Sequence, residues 1–270
     1  MSTAGGISNR GRSELTSVLG RGRRFVTPSD VVQALGVDHV TAAKRLARWA
    51  EQGWLRRARR GLYIPVPLDA ATPTSWSEDA LIVAAAVWGP CYFTGWTAAS
   101  HWSLTDQVFR TTVLKTSRRV RASSAQFLDH DYLVAHVARQ QMDWGIQADW
   151  RGDVSLSIAD PARTVIDILD NPRFGGGIRH CAEITATFLD EHDAAQLIEY
   201  GDRLGNRAVF KRLGYIVEVL GRDRAGLLDA CRQRLTAGIS LLDPAAPSKG
   251  PRVPRWGLRV NAVVGPEQPA

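Results

Sequence analysis

The sequence predicts an α+β protein in two parts, and three observations predict it. Helical periodicity over residues 13–52 runs into a short basic hairpin. Strand-like alternation recurs between residues 108 and 158, and a nearly unbroken helical pattern fills residues 178–235. At about 150 residues per domain, a chain of 270 residues has room for two.

Residues 1–12 are rich in Gly, Ser and Arg and are expected to form a disordered tail. A short first helix is expected from Ser13 to Leu19. Thr27-Pro28-Ser29-Asp30 starts a second helix. Thr27 is a favourable N-cap, Pro28 sits where its missing N–H does no harm, and Asp30 complements the helix dipole. Gly36 stops it after about seven residues. Asp38 can cap a third helix over His39–Gln52, with Val40, Ala43, Leu46, Ala47 and Ala50 as its expected apolar face. Thr41, Lys44, Arg45, Arg48 and Gln52 line the other side. Trp49 and Trp54 are assigned to core packing. Trp54–Ala58 and Leu62–Ile64 are short strands around an Arg59-Arg60-Gly61 turn.

A short helix, a tight turn, a helix with a basic outer face and a basic hairpin make a winged helix-turn-helix over residues 13–68. Such a helix fits the major groove, and the hairpin offers guanidiniums to phosphates or the minor groove. Nine residues are therefore expected to meet DNA: His39, Thr41, Lys44, Arg45, Arg48, Arg56, Arg57, Arg59 and Arg60.

Charge supports this reading. The chain carries a net charge of +7. Residues 1–68 hold twelve basic residues against Glu14, Asp30, Asp38 and Glu51, so the remainder is close to neutral. A local basic footprint points to nucleic acid or an anionic surface.

A polar, Pro-containing linker, Pro65–Ser77, sets a domain boundary near residue 70. Ser75-x-x-Glu78 resembles a capping box ahead of an apolar helix, about Ser77–Trp88. The second domain is expected over residues 75–264: a strand or turn at Cys91–Thr94 and a helix at Gly95–Trp102. Strands follow at Val108–Lys115, Tyr132–Ala138, Ile146–Trp150 and Val154–Ile158, the last two joined at Gly152. Asp160-Pro161 then caps a helix that ends before Gly175-Gly176-Gly177. Helices are expected at about 178–189, 192–200, 206–220 and 224–236. Gly238–Arg255 reads as a Pro-rich linker, and Leu258–Val263 as a last strand returning to the sheet.

Several function classes find no support. The longest apolar run, Ala80–Trp88, is far short of the about 20 residues a bilayer span needs. The N-terminal arginines precede no apolar stretch, so no secretory signal is read there. Cys91, Cys181 and Cys231 are widely spaced, which predicts reduced thiols in a cytoplasmic protein rather than zinc ligands or a disulfide framework. None of the P-loop, H-E-x-x-H and G-x-S-x-G patterns occurs, and none of the four lysines follows an acid by two positions. No catalytic, metal-binding or cofactor-binding residue is assigned, and no cofactor is expected. Asp149 and Asp153 form the best carboxylate pair for a nuclease, but a polar hairpin tip explains them better. Two alternatives stay open: a nuclease targeted by the winged helix, and a regulator whose tryptophans (Trp76, Trp88, Trp96, Trp102, Trp144, Trp150, Trp256) line a ligand pocket.

Four segments resemble the AbiEi family of antitoxins and transcriptional regulators of type IV toxin–antitoxin systems. They are Gly53-Trp54-Leu55-Arg56-Arg57 through Tyr63, Tyr92-Phe93-Thr94-Gly95-Trp96-Thr97-Ala98-Ala99, Asp160-Pro161-Ala162-Arg163-Thr164-Val165-Ile166-Asp167, and Trp256-Gly257-Leu258-Arg259-Val260-Asn261. The resemblance implies a non-catalytic repressor that binds inverted repeats in its own promoter. It also implies a C-terminal domain acting against a co-encoded nucleotidyltransferase-like toxin.

Overall fold

The protein, seen in a computed structural model, is described over residues 8–20, 22–67, 78–224 and 226–265. It has the expected α+β class and divides into two compact units: residues 1–89 with 125–131, and residues 90–124 with 132–270. This division differs from the boundary expected near residue 70. The apolar helix Ala80–Trp88 and a hairpin end at 125–131 group with the N-terminal unit.

The first unit opens with α1 (Asn9–Leu19), capped by Ser8. Residues 9–12, expected in the disordered tail, are thus helical; the expectation for residues 1–7 lies outside the described residues. A Ser cap outweighs the Gly-, Ser- and Arg-rich composition that suggested disorder. Next come α2 (Pro28–Leu35) and α3 (His39–Glu51). The hairpin β1 (Leu55–Arg59) and β2 (Leu62–Pro65) pairs Arg57 with Tyr63 and Arg59 with Leu62, leaving Ala58 in a bulge. Val26 adds a bridge to Tyr63. Leu15, Val18, Val26, Val31, Ala42, Leu46, Trp49, Leu55 and Tyr63 form the core. Trp49 is therefore a core residue and Trp54 packs against that core, as expected. α4 (Ala80–Trp88) is capped by Asp79, whose Oδ1 accepts from Leu81 N at 2.7 Å. Ser75, the cap expected from sequence, lies outside the described residues.

The second unit is built on a sheet of order β5-β6-β4-β3-β8-β7. Its strands are β3 (Cys91–Phe93), β4 (Thr111–Thr116), β5 (Ser124–Phe127), β6 (His130–His136), β7 (Ile146–Arg151) and β8 (Val154–Ala159). The turn end of β5–β6 belongs to the first unit. β3 runs antiparallel to β4 and parallel to β8. The helices are α5 (Gly95–His101), α6 (Pro161–Asp170), α7 (Ile178–Glu191), α8 (Ala195–Leu204), α9 (Ala208–Val219) and α10 (Leu227–Arg232). A continuous apolar core runs through α6, α7 and α9 and includes Trp256.

The C-terminal region departs from expectation. Residues 238–255 are not a plain linker, and Leu258 does not return to the main sheet. β9 (Ser240–Leu241), β10 (Arg252–Val253) and β11 (Leu258–Arg259) form their own three-stranded sheet with β11 at its centre. Arg212 of α9 holds this segment down by donating to the carbonyls of Leu242 at 3.0 Å, Leu241 at 3.1 Å and Leu169 at 2.7 Å. Trp256 is fully buried against Gly214 and donates its indole N–H to Glu218 Oε2 at 2.9 Å.

The described tryptophans do not converge on one pocket. Trp96 stacks on Phe109 with ring centroids 4.5 Å apart, Trp144 covers Arg163, and Trp150 is exposed on β7. A groove of about 710 Å³ in this unit is lined by Tyr215, Val219, Val260 and Val263, without a tryptophan. Among the described residues no helix is long and apolar enough to cross a membrane.

Candidate nucleic-acid interface

The α2–turn–α3 segment is fixed by two caps. Thr27 and Asp30 form a reciprocal capping box, with Thr27 N donating to Asp30 Oδ2 at 2.7 Å. Burial would raise the Asp30 carboxyl, but hydrogen bonds from Thr27 and the Arg23 guanidinium hold it below its ordinary value. Gly36 then turns the chain at φ 65°, a conformation that favours glycine. Asp38 starts α3 by accepting from Val40 N at 2.9 Å and Thr41 N at 3.0 Å.

The phase of α3 differs from the sequence reading. Ala42, Leu46 and Trp49 face the core. Val40 and Ala43, expected inside, are exposed, and Ala47 and Ala50 are only half-buried. The expected apolar set follows the small residues, whereas the large Trp49 decides which side is buried. Burying an indole removes several times the apolar area of an alanine methyl. The exposed residues of α3 are His39, Val40, Ala43, Lys44, Arg48 and Glu51.

The structure separates the nine candidate residues into two groups. Thr41 Oγ1 donates to Asp38 Oδ2 at 2.6 Å and so belongs to the cap. Arg45 Nη1 lies 2.7 Å from Glu14 Oε2 of α1. Arg56 Nη2 lies 3.0 Å from Asp129 Oδ2. These three are committed to interactions within the unit. His39, Lys44, Arg48, Arg57, Arg59 and Arg60 are exposed, and none has an ion-pair partner among the described residues. The hairpin tip is Arg60-Gly61, with Gly61 at φ 75°. The usable cations thus lie on one face of α3 and along the hairpin.

The second unit holds a different set of charges. Asp167 of α6 is fully buried and accepts from Lys115 Nζ at 2.9 Å, Arg163 Nε at 3.0 Å, Thr94 Oγ1 at 2.8 Å and Tyr92 OH at 3.0 Å. Burial would raise this carboxyl, but the Lys115 ammonium and the Arg163 guanidinium outweigh it and hold the group below its ordinary value. The Arg163 guanidinium also lies over the Trp144 ring, 3.4 Å from its centroid. The network joins β3, β4 and α6 into one unit. Asp160, 2.9 Å from Tyr200 OH and 2.7 Å from Arg163 N, is the N-cap the sequence predicts.

Asp149, half of the best carboxylate pair, is held by Arg151 Nε at 2.9 Å, and Asp153 sits in the adjoining turn. The cysteines are buried and unpaired, and burial pushes the Cys91 and Cys231 thiols up to about 12. Among the described residues, no three His, Cys, Asp or Glu side chains are placed to hold a metal ion.

Residues 13–66 match a family model described as transcriptional regulator, AbiEi antitoxin. That stretch covers most of α1 and all of α2, α3 and the β1–β2 hairpin. Among solved structures, the chain is similar to the crystal structure of the RV2827C protein from Mycobacterium tuberculosis. The TM-score is 0.64 at 16% identity, over 95% of this chain and 93% of that one. No curated protein matches the chain.

Proposed function

We propose that this chain is a DNA-binding transcriptional repressor that places α3 in the major groove of double-stranded DNA and the β1–β2 hairpin against the flanking backbone. The observation that carries the reading is the exposed set Lys44, Arg48, Arg57, Arg59 and Arg60, none of which has an ion-pair partner among the described residues. The match of residues 13–66 to a family of transcriptional regulators supports it independently. Binding, not catalysis, is the activity proposed, and the cytoplasm is where it operates. The target is its own promoter, read as inverted repeats. The repressor is further proposed to be the antitoxin of a pair, with its second unit acting on a co-encoded nucleotidyltransferase-like toxin.

Binding to the DNA upstream of its own gene, measured across a salt series, tests the first part. Lys44→Ala and Arg48→Ala are expected to weaken binding. Each should reduce the slope of log K against log salt by about 0.9 for every phosphate no longer neutralised. Arg45→Ala is expected to change that slope less, because Arg45 is engaged by Glu14. Mutant and wild-type slopes that coincide would remove the reading. Co-expression with the product of the neighbouring reading frame tests the second part; a neighbour that is not nucleotidyltransferase-like, or growth arrest by it that the chain does not relieve, rules it out.

A further inference from the structure

The outward surface of α3 is not uniformly basic. Val40, in the first turn of the helix, is 65% exposed on the side turned away from the core residues Ala42, Leu46 and Trp49. Ala43 is exposed and Ala47 half-buried, so an apolar row runs along the helix at spacings of three and four. Lys44 and Arg48, each one position further on, run beside it. Nothing among the described residues of the first unit buries Val40.

That row suits a particular feature of DNA. A recognition helix presents its N-terminal residues to base edges. Small side chains there let the helix backbone approach those edges closely. The distinctive apolar group on the major-groove edge of a base pair is the C5 methyl of thymine. Lysine and arginine alongside suit phosphates or guanine, and they offer nothing to a methyl. Building on the DNA-binding reading, we propose that Val40, with Ala43 beside it, is a specificity-determining residue that selects thymine methyl groups under the first two turns of α3. The preferred half-site then contains A·T pairs at positions fixed by Val40 and Ala43, and Lys44 and Arg48 hold the register.

The full chain can be used to select from short randomised duplexes, and each thymine of the selected half-site then replaced in turn by deoxyuridine, which removes only the methyl. Wild-type protein is expected to bind about fourfold more weakly at one or two of these positions, the factor for one buried methyl-sized group. Val40→Ser is expected to bind the thymine and deoxyuridine duplexes alike there, with its salt slope unchanged. Its exposed site leaves the fold intact. Equal binding of both duplexes by wild type, or full discrimination retained by Val40→Ser, overturns the inference while the DNA-binding reading stands. A chain that binds no duplex at any salt overturns both.

Discussion

Replacing Asp167 by alanine is expected to destabilise the second unit by about 3–5 kcal/mol, the typical cost of removing one partner from a buried ion pair. The change would leave Lys115, 3% exposed, and Arg163, fully buried, facing each other without their shared carboxylate. Tyr92 and Thr94 would each lose an acceptor as well. Thr94→Ala, which removes a single hydrogen bond, should cost about 1 kcal/mol. Denaturant midpoints of the two variants beside wild type decide the matter; equal destabilisation would show that the charge network adds nothing beyond its hydrogen bonds. Acid gives a second reading. The folded carboxyl of Asp167 titrates below its ordinary value, while the unfolded one titrates near about 3.9. The unfolded state therefore takes up the proton first. Asp167 contributes its full stability above that unfolded value and loses it as the pH falls through the lower folded one. Asp167→Ala should accordingly flatten the loss of stability below about pH 4.

Gly95→Ala is expected to be nearly as damaging, at about 2–5 kcal/mol, combining an unfavourable backbone conformation with overpacking. Gly95 has φ 61°, and a Cβ there would lie 2.3 Å from the Phe174 carbonyl oxygen and 3.0 Å from Val113 Cγ1. The carbonyl is backbone, so relief requires moving a main-chain segment. Thermal unfolding should show a clearly lower midpoint, whereas Gly205→Ala, with positive φ but open space around it, should show only the backbone part of the effect. Equal shifts would mean that the clash with Phe174 is easily relieved.

The caps are the most readable part of the sequence. Thr27 with Asp30, Asp38 and Asp160 each act where local chemistry places them. Helix phase is less legible, because alanines fit either face and only the bulk of Trp49 fixes the choice. Strand β5 escapes a sequence reading for a physical reason. Its turn, Leu128-Asp129, takes φ of 51° and 67° without a glycine, so the usual hairpin signal is missing. The ion pairs that occupy Arg45 and Arg56 depend on Glu14 and Asp129, which lie far away in the sequence. No local pattern reveals such partners, so candidate DNA-facing residues can be drawn from sequence but not divided into engaged and exposed. In the second unit, the Tyr92–Ala99 and Asp160–Asp167 segments meet at Asp167, a junction invisible to spacing alone.

The discontinuity of the first unit also bears on how the chain is made. Arg56 meets Asp129, His130 bonds the Glu78 carbonyl at 3.0 Å, and Trp88 meets Phe127 with ring centroids 5.4 Å apart. A ribosome that has released residues 1–89 has therefore not yet delivered the whole of that unit. Its completion waits for residue 131, by which time β3 and β4 of the other unit have already emerged. A fragment ending after the β1–β2 hairpin would lack Asp129, the carboxylate that Arg56 meets.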